Sequence, residues 1–235
     1  MTDLALCDAL ANARHRLEAA LAAADRTPDD ATLLAVSKTQ PAAMIREAYR
    51  LGQRDFGENY LQEALAKQTE LAELSAIVWH FIGPLQSNKT RDVAEHFDWL
   101  HSLDREKVAR RLDAQRPAGM APLNVCLQVN VSDEASKSGL SLAELPALAE
   151  AVLAMPHLRL RGLMAIPAPA TDPVAQRAPF ARLHEALTDL RERFPEARLD
   201  TLSMGMSGDL EAAVTEGATL VRLGTAIFGA RDTSA

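Results

Sequence analysis

Lys38 is the residue in this sequence whose type and position best suit nucleophilic chemistry. It directly follows the apolar run Leu33–Ser37, so it lies at the end of a predicted strand. A lysine in such a position is partly desolvated, which favours the neutral amine that attacks an aldehyde. The alternative is a surface lysine whose aliphatic stem packs on apolar neighbours while its ammonium stays in water. The other lysines fall on predicted helices, where we expect them to be solvated, or in loops: Lys67, Lys107, Lys89 and Lys137.

Two glycine-containing segments late in the chain have the composition of a phosphate-binding site. They are residues 203–208 and 222–225, and both combine glycine with hydroxyl side chains. Glycine lets backbone N–H groups approach an anion closely, and a helix predicted to open at Ser207 would add unpaired N–H groups. The alternative is that these are ordinary turn and cap residues, with Ser207 as an N-cap and Gly224 at a kink. Taken together, the two segments favour a phosphate site.

Arg222 is a charged residue inside an otherwise apolar predicted strand, so it needs a partner there. That partner is either a carboxylate such as Glu58, in a structural ion pair, or a bound ligand. His80 lies between Trp79 and Phe81, and we expect it to be a core residue rather than a base. A solvated turn is predicted for Asp133, Glu134 and Lys137.

The elements that must position these residues alternate along the chain. Helical patterns separate eight short apolar runs: Leu33–Ser37, Arg54–Gly57, Ile77–Ile82, Trp99–Leu103, Leu123–Val131, Leu158–Ala165, Leu202–Met204 and Leu220–Leu223. Strand–helix alternation implies a parallel sheet, and eight such units imply a single α/β domain, a (β/α)8 TIM barrel. An extra N-terminal helix is predicted from the apolar spacing of Leu6, Leu10, Ala13, Leu17 and Leu21.

The main alternative fold is an open, doubly wound sheet. That fold binds its ligand through a glycine-rich turn after the first strand, and here that turn, residues 37–40, contains no glycine. The closed barrel is therefore favoured, and barrels of this kind bind their ligands at the carboxyl ends of the strands, often with a phosphate held after strands seven and eight. The proline-rich stretch Ala165–Arg177 is predicted to be a loop.

The bulk properties exclude several function classes. The net charge of −7 argues against a general affinity for nucleic acid or an anionic membrane. Neither Cys7 nor Cys126 belongs to a metal-binding or disulfide pattern, and no apolar run is long enough to span a membrane. The acidic N-terminus does not have the pattern of a secretory signal, so we expect one cytoplasmic domain covering residues 1–235.

The sequence resembles the pyridoxal 5′-phosphate (PLP) homeostasis proteins, the YggS/PROSC family, over residues 33 to 231. The resemblance depends on long motifs: residues 34–39 (LAVSKT), 56–63 (FGENYLQE), 79–89 (WHFIGPLQSNK), 130–139, 160–164 (LRGLM), 203–207 (SMGMS) and 222–229 (RLGTAIFG).

This resemblance implies a fold-type III PLP barrel akin to the N-terminal domain of alanine racemase. It implies a Schiff base between PLP and Lys38, and it places Arg222 near the pyridine nitrogen and Asn59 near the ring. The residues that it places near the phosphate are Ser203, Ser207, Gly224 and Thr225. The implied role is storage, buffering or delivery of PLP without established catalysis, with PLP-dependent apoenzymes as partners. We expect a monomer.

Two enzymatic alternatives stay open at this point. One is a barrel enzyme that acts on another aldehyde or sugar phosphate through Lys38. The other is a small PLP-dependent racemase, which needs an acid/base group on each face of its substrate. In the racemases that this chain resembles, the second group is a tyrosine from a C-terminal β-domain of a partner subunit. We expect that domain to be absent because the sequence ends at Ala235, soon after the eighth strand, which leaves Tyr60 as the internal candidate, since Tyr49 falls within a helix.

Overall fold

The computed structural model describes residues 3–132 and 138–229. The turn predicted for Asp133, Glu134 and Lys137 lies outside these residues.

Eight parallel strands form a closed barrel in chain order, and the last strand pairs with the first. They are β1 (Thr32–Val36), β2 (Asp55–Glu58), β3 (Val78–Phe81), β4 (Trp99–Leu103), β5 (Leu123–Gln128), β6 (Leu158–Met164), β7 (Thr201–Ser203) and β8 (Leu220–Leu223). The prediction of a (β/α)8 barrel is confirmed, and each predicted strand overlaps one of these eight.

Helices surround the barrel, and one helix precedes the first strand, as predicted. Within the described residues they are α1 (Asp3–Ala23), α2 (Ala42–Arg50), α3 (Leu61–Glu70), α4 (Thr90–His96), α5 (Glu106–Gln115), α6 (Leu145–Leu153), α7 (Pro173–Arg193), α8 (Leu210–Thr215) and α9 (Thr225–Phe228). The apolar stripe predicted for α1 is buried along its whole length. None of the helices in this part of the chain is long and apolar enough to cross a bilayer.

The side chains of the strands divide between two layers because successive residues point to opposite faces. Leu33 and Ala35 of β1 belong to the large core between the barrel and its helices. Leu34 and Val36, which alternate with them, pack with Ile82 and Leu220 in a separate buried cluster. The even-numbered residues of β1 therefore face the barrel interior.

Two predicted boundaries differ from the structure. The predicted loop Ala165–Arg177 ends earlier, because Asp172 caps helix α7 by accepting a hydrogen bond from Ala175 N at 2.8 Å and Pro173 occupies the first helical position. The helix predicted to open at Ser207 begins instead at Leu210, after a turn in which Met206 N donates to Asp209 Oδ1 at 2.6 Å.

Candidate functional site

A cavity of about 350 Å³ opens at the carboxyl ends of the strands. Its walls include six of the residues predicted for the site: Lys38, Asn59, Ser207, Arg222, Gly224 and Thr225. Apolar side chains complete it, among them Val36, Ile82 and Ile166. The barrel closure brings these residues together, because β8 pairs with β1 and so places the segment 222–225 beside Lys38.

Lys38 lines this cavity, and its side chain is half-buried. Its ammonium nitrogen forms no hydrogen bond or ion pair with another residue in the described ranges. The amine is thus available to a ligand, whereas the backbone on both sides of it is firmly held.

A buried network holds the backbone around Lys38. Lys67 Nζ donates to the Ser37 carbonyl at 2.8 Å, to Glu58 Oε1 at 2.8 Å, and to Glu63 Oε1. Glu63 Oε1 also accepts from the Thr39 N–H at 2.6 Å. Thr39 has φ of +63°, a left-handed conformation that is strained for a β-branched residue, so this hydrogen bond stabilises an unfavourable turn.

The expectation that Lys67 is solvated is wrong. Its side chain is only 7% exposed, and Glu58 opposite it is fully buried. Burial raises the pKa of Glu58, and the Lys67 ammonium opposes that shift by stabilising the carboxylate. The sequence held one signal for each contact of Lys67. Glu58 is a carboxylate at the end of a buried strand, which needs a partner, and Glu63 lies four residues before Lys67 on one helix.

Two loops that line the cavity together with Lys38, residues 206–208 and 224–225, carry backbone donors. In the described part of the chain, the N–H groups of Ser207, Gly208 and Thr225, which line the cavity, donate no backbone or side-chain hydrogen bond. At Gly224 an added Cβ would lie 3.2 Å from the Val36 carbonyl oxygen, so glycine permits the close approach of this loop to β1. The free N–H groups suit an anion such as a phosphate.

Arg222 has no carboxylate partner among the described residues, and the alternative of an ion pair with Glu58 is wrong because Glu58 pairs with Lys67. The Arg222 side chain reaches the cavity from β8, and NH1 donates to Ser203 Oγ at 2.8 Å while NH2 donates to the Ala165 carbonyl at 2.9 Å. Burial lowers the pKa of Arg222 to about 10, which leaves the guanidinium charged at neutral pH. A buried cation without an ion-pair partner is well suited to face a ligand atom that accepts a hydrogen bond.

Ser203 does not line the cavity with the other predicted residues. It is fully buried beneath Arg222, and its Oγ also lies 2.7 Å from His101 Nδ1. His80 is a buried core residue, as predicted, and its ring nitrogens lie 2.9 Å from His101 Nε2 and 3.0 Å from Asp55 Oδ1. Sequence reasoning did not single out His101, whose only signal was its position inside an apolar strand.

Asn59 lines the cavity and carries an unused hydrogen-bond acceptor. Its Oδ1 is buried and has no hydrogen-bond partner among the described residues. The loop after β3 fixes its backbone, because an added Cβ on Gly83 would lie 2.2 Å from the Asn59 carbonyl oxygen. A buried amide without a partner indicates that a polar ligand atom belongs beside it.

The tyrosines are placed apart from this cavity. Tyr49 lies in α2, where Arg54 covers its ring at 3.9 Å. Tyr60 is 50% exposed and lines a neighbouring cavity of about 580 Å³ together with Asn59 and Lys89. The site itself therefore combines an amine, a buried guanidinium, an amide and an anion cradle, which together fit a planar, phosphorylated aldehyde.

Comparisons with known proteins identify the family of this chain. The sequence profile of the family described as "Alanine racemase, N-terminal domain" matches residues 9–232. The chain is 64% identical over 227 residues to the "Pyridoxal phosphate homeostasis protein" of Pseudomonas aeruginosa, covering 97% of this chain and 96% of the relative. It is 56% identical to the protein of that name from Escherichia coli K12, covering 96% of each.

Solved structures show the same fold. PipY of Synechococcus elongatus, in a structure with PLP bound, superposes with a TM-score of 0.84 at 41% identity and covers 95% of this chain and 100% of that one. Alanine racemase of Corynebacterium glutamicum superposes with a TM-score of 0.68 at 16% identity, covering 97% of this chain and 62% of the racemase, a likeness that concerns the fold alone. The chain therefore belongs to the pyridoxal phosphate homeostasis protein family, whose barrel is that of the alanine racemase N-terminal domain.

Proposed function

We propose that this protein binds PLP in the cavity at the mouth of the barrel, as a Schiff base on Lys38, and serves in PLP homeostasis. The observation that carries the proposal is the convergence of Lys38, Arg222 and the free N–H groups of two loops on one cavity. The curated relatives named for PLP homeostasis and the PLP-bound structure of PipY support the same cofactor.

Each residue of the cavity suits one part of PLP. The amine of Lys38 suits the aldehyde, and the buried guanidinium of Arg222 suits the pyridine nitrogen, which accepts a hydrogen bond. The N–H groups around Ser207 and Thr225, with their hydroxyls, suit the phosphate, and Asn59 suits the polar edge of the ring. When bound, PLP supplies a reactive aldehyde and an electron-accepting ring; the chain supplies binding, orientation and partial exclusion of water.

The geometry favours a binding protein over a racemase. Arginine stays charged, so Arg222 stabilises an unprotonated ring nitrogen and weakens the ring as an acceptor of electrons, which disfavours broad carbanion chemistry although racemases of this fold tolerate such an arginine. Tyr60, the internal candidate for a second acid/base group, lines the neighbouring cavity instead. We further propose storage, buffering or delivery to PLP-dependent apoenzymes, by a monomer in the cytoplasm.

The test begins with a titration of the purified protein with PLP, followed by absorbance. We expect one PLP per chain and an imine absorption band that Lys38→Ala abolishes and Lys89→Ala leaves unchanged. Delivery is then measured by mixing the loaded protein with a PLP-dependent apoenzyme in the presence of a trap for free PLP. Failure to bind PLP stoichiometrically would refute the proposal, and complete suppression by the trap would exclude direct delivery.

A further inference from the structure

A continuous chain of hydrogen bonds crosses the barrel interior from the amino ends of the strands to Arg222. It begins at Asp55, the first residue of β2, and passes through His80 of β3, His101 of β4 and Ser203 of β7. The successive contacts measure 3.0 Å, 2.9 Å and 2.7 Å, and the last one, from Arg222 NH1 to Ser203 Oγ, measures 2.8 Å. All four ring nitrogens of the two histidines have a partner, although both rings are buried.

When the His80 ring is neutral, the carboxylate at one end determines the direction of every hydrogen bond in the chain. Asp55 Oδ1 only accepts, so the proton of His80 must lie on Nε2, and His80 Nδ1 becomes an acceptor. That acceptor requires the proton of His101 on Nε2, which makes His101 Nδ1 an acceptor for the Ser203 hydroxyl. Burial and the positive charge of Arg222 lower the pKa of His101 well below its usual value, so its ring is neutral.

The final step of the chain acts on Arg222. Because the Ser203 hydroxyl donates its hydrogen bond to His101, a lone pair of the Ser203 oxygen is left to accept the hydrogen bond from Arg222 NH1. The second contact of the guanidinium is to the Ala165 carbonyl at 2.9 Å. Two acceptors on one planar fork define its orientation.

We infer that Asp55, His80, His101 and Ser203 are positioning residues that hold the Arg222 guanidinium toward the bound ring from the opposite end of the barrel. The part of this inference that concerns the ring rests on the proposed function. Packing supports the rigidity of the chain, because the His80 ring stacks on Trp99 with centroids 5.4 Å apart and an angle of 11°.

The first test needs no cofactor. Nitrogen NMR of histidine-labelled protein should show both His80 and His101 neutral with the proton on Nε2, His101 being assigned with a His101→Gln variant. Asp55→Asn introduces an amide that donates as well as accepts, so the His101 signal should shift toward a tautomer mixture. The control is Asp113→Asn. Asp113 lies 3.4 Å from His157 Nδ1 and does not belong to the hydrogen-bonded network, so this variant should leave the His101 signal unchanged. A His101 proton on Nδ1, or no response to Asp55→Asn, would overturn the inference.

The second test uses PLP and its analogue with carbon in place of the ring nitrogen. Coupling through such a network predicts that Asp55→Asn and Ser203→Ala bind PLP about two- to thirtyfold more weakly. Binding of the analogue should not change, and Ser203→Thr, which keeps the hydroxyl, should restore PLP binding. Equal losses for both ligands would contradict the inference while leaving PLP binding itself intact. Wild-type protein that binds neither ligand would refute the proposed function, and the first test would still decide the hydrogen-bonded chain.

Discussion

Lys67→Met removes the buried cation behind Lys38 while keeping a similar side-chain length. Among the described residues, the variant leaves the fully buried Glu58 with the Ser37 hydroxyl, at 2.6 Å, as its one remaining hydrogen-bond partner. Breaking one side of a buried ion pair costs about 3–5 kcal/mol because the remaining charge is uncompensated. We therefore expect the free energy of unfolding at neutral pH to fall by about that amount.

The fall in the free energy of unfolding caused by Lys67→Met should depend on pH in a defined direction. The pKa of Glu58 is already raised by burial, and without the Lys67 ammonium it rises further. A carboxyl group whose pKa is higher in the folded than in the unfolded state stabilises the fold below its unfolded pKa, and this contribution is lost as the pH rises through the folded pKa. The deficit of Lys67→Met should hence be largest at neutral pH and should shrink as the pH falls toward about 4.3, the ordinary pKa of glutamate.

Urea denaturation across this pH range measures the effect, with two further variants as controls. Glu58→Gln combined with Lys67→Met leaves no uncompensated charge at position 58, so the free energy of unfolding of this double variant should fall by less than about 2 kcal/mol. Lys107→Met, at an exposed position on α5, should stay within about 0.5 kcal/mol of the wild type. A Lys67→Met loss no larger than that of Lys107→Met, or a deficit that grows as the pH falls, would refute the reasoning.

Three further predictions concern the cofactor. Borohydride reduction of the loaded protein should fix the label on the peptide that contains Lys38, and a label on Lys89 instead would contradict the assignment. Ser207→Ala combined with Thr225→Val should weaken PLP binding by roughly tenfold or more, since hydrogen bonds to a charged group contribute about 1.5–3 kcal/mol each, while pyridoxal binding should barely change. Equal loss of both ligands would mean that the phosphate lies elsewhere or that the protein unfolds. In heavy water the loaded protein should not exchange the α-proton of L-alanine rapidly, and rapid exchange that disappears in both Lys38→Ala and Tyr60→Phe would establish an enzyme.

The sequence by itself determined the barrel and most of the cavity. Alternating apolar strands and amphipathic helices are local patterns, and eight repeats of them leave few ways to bury all the strands. Because the ligand site of such a barrel lies at the carboxyl ends of its strands, residues that directly follow a strand could be assigned to one mouth. Lys38, Gly224 and Thr225 were found in this way and Asn59 through the family resemblance, and the structure places all four on one cavity.

Only the tertiary structure decided how the buried charges are paired. Glu58 and Arg222 are both charged residues in apolar strands, and an ion pair between them was one of the two alternatives that the sequence left open. The pleat turns Glu58 outward to Lys67 of α3 and turns Arg222 inward to Ser203, so they lie on opposite sides of the barrel wall. The side of the wall on which a residue falls depends on strand register and shear, which no local pattern specifies. Barrel closure also brings His101 of β4 within 2.7 Å of Ser203 of β7 across the interior, which links Asp55 to Arg222 through residues on five strands.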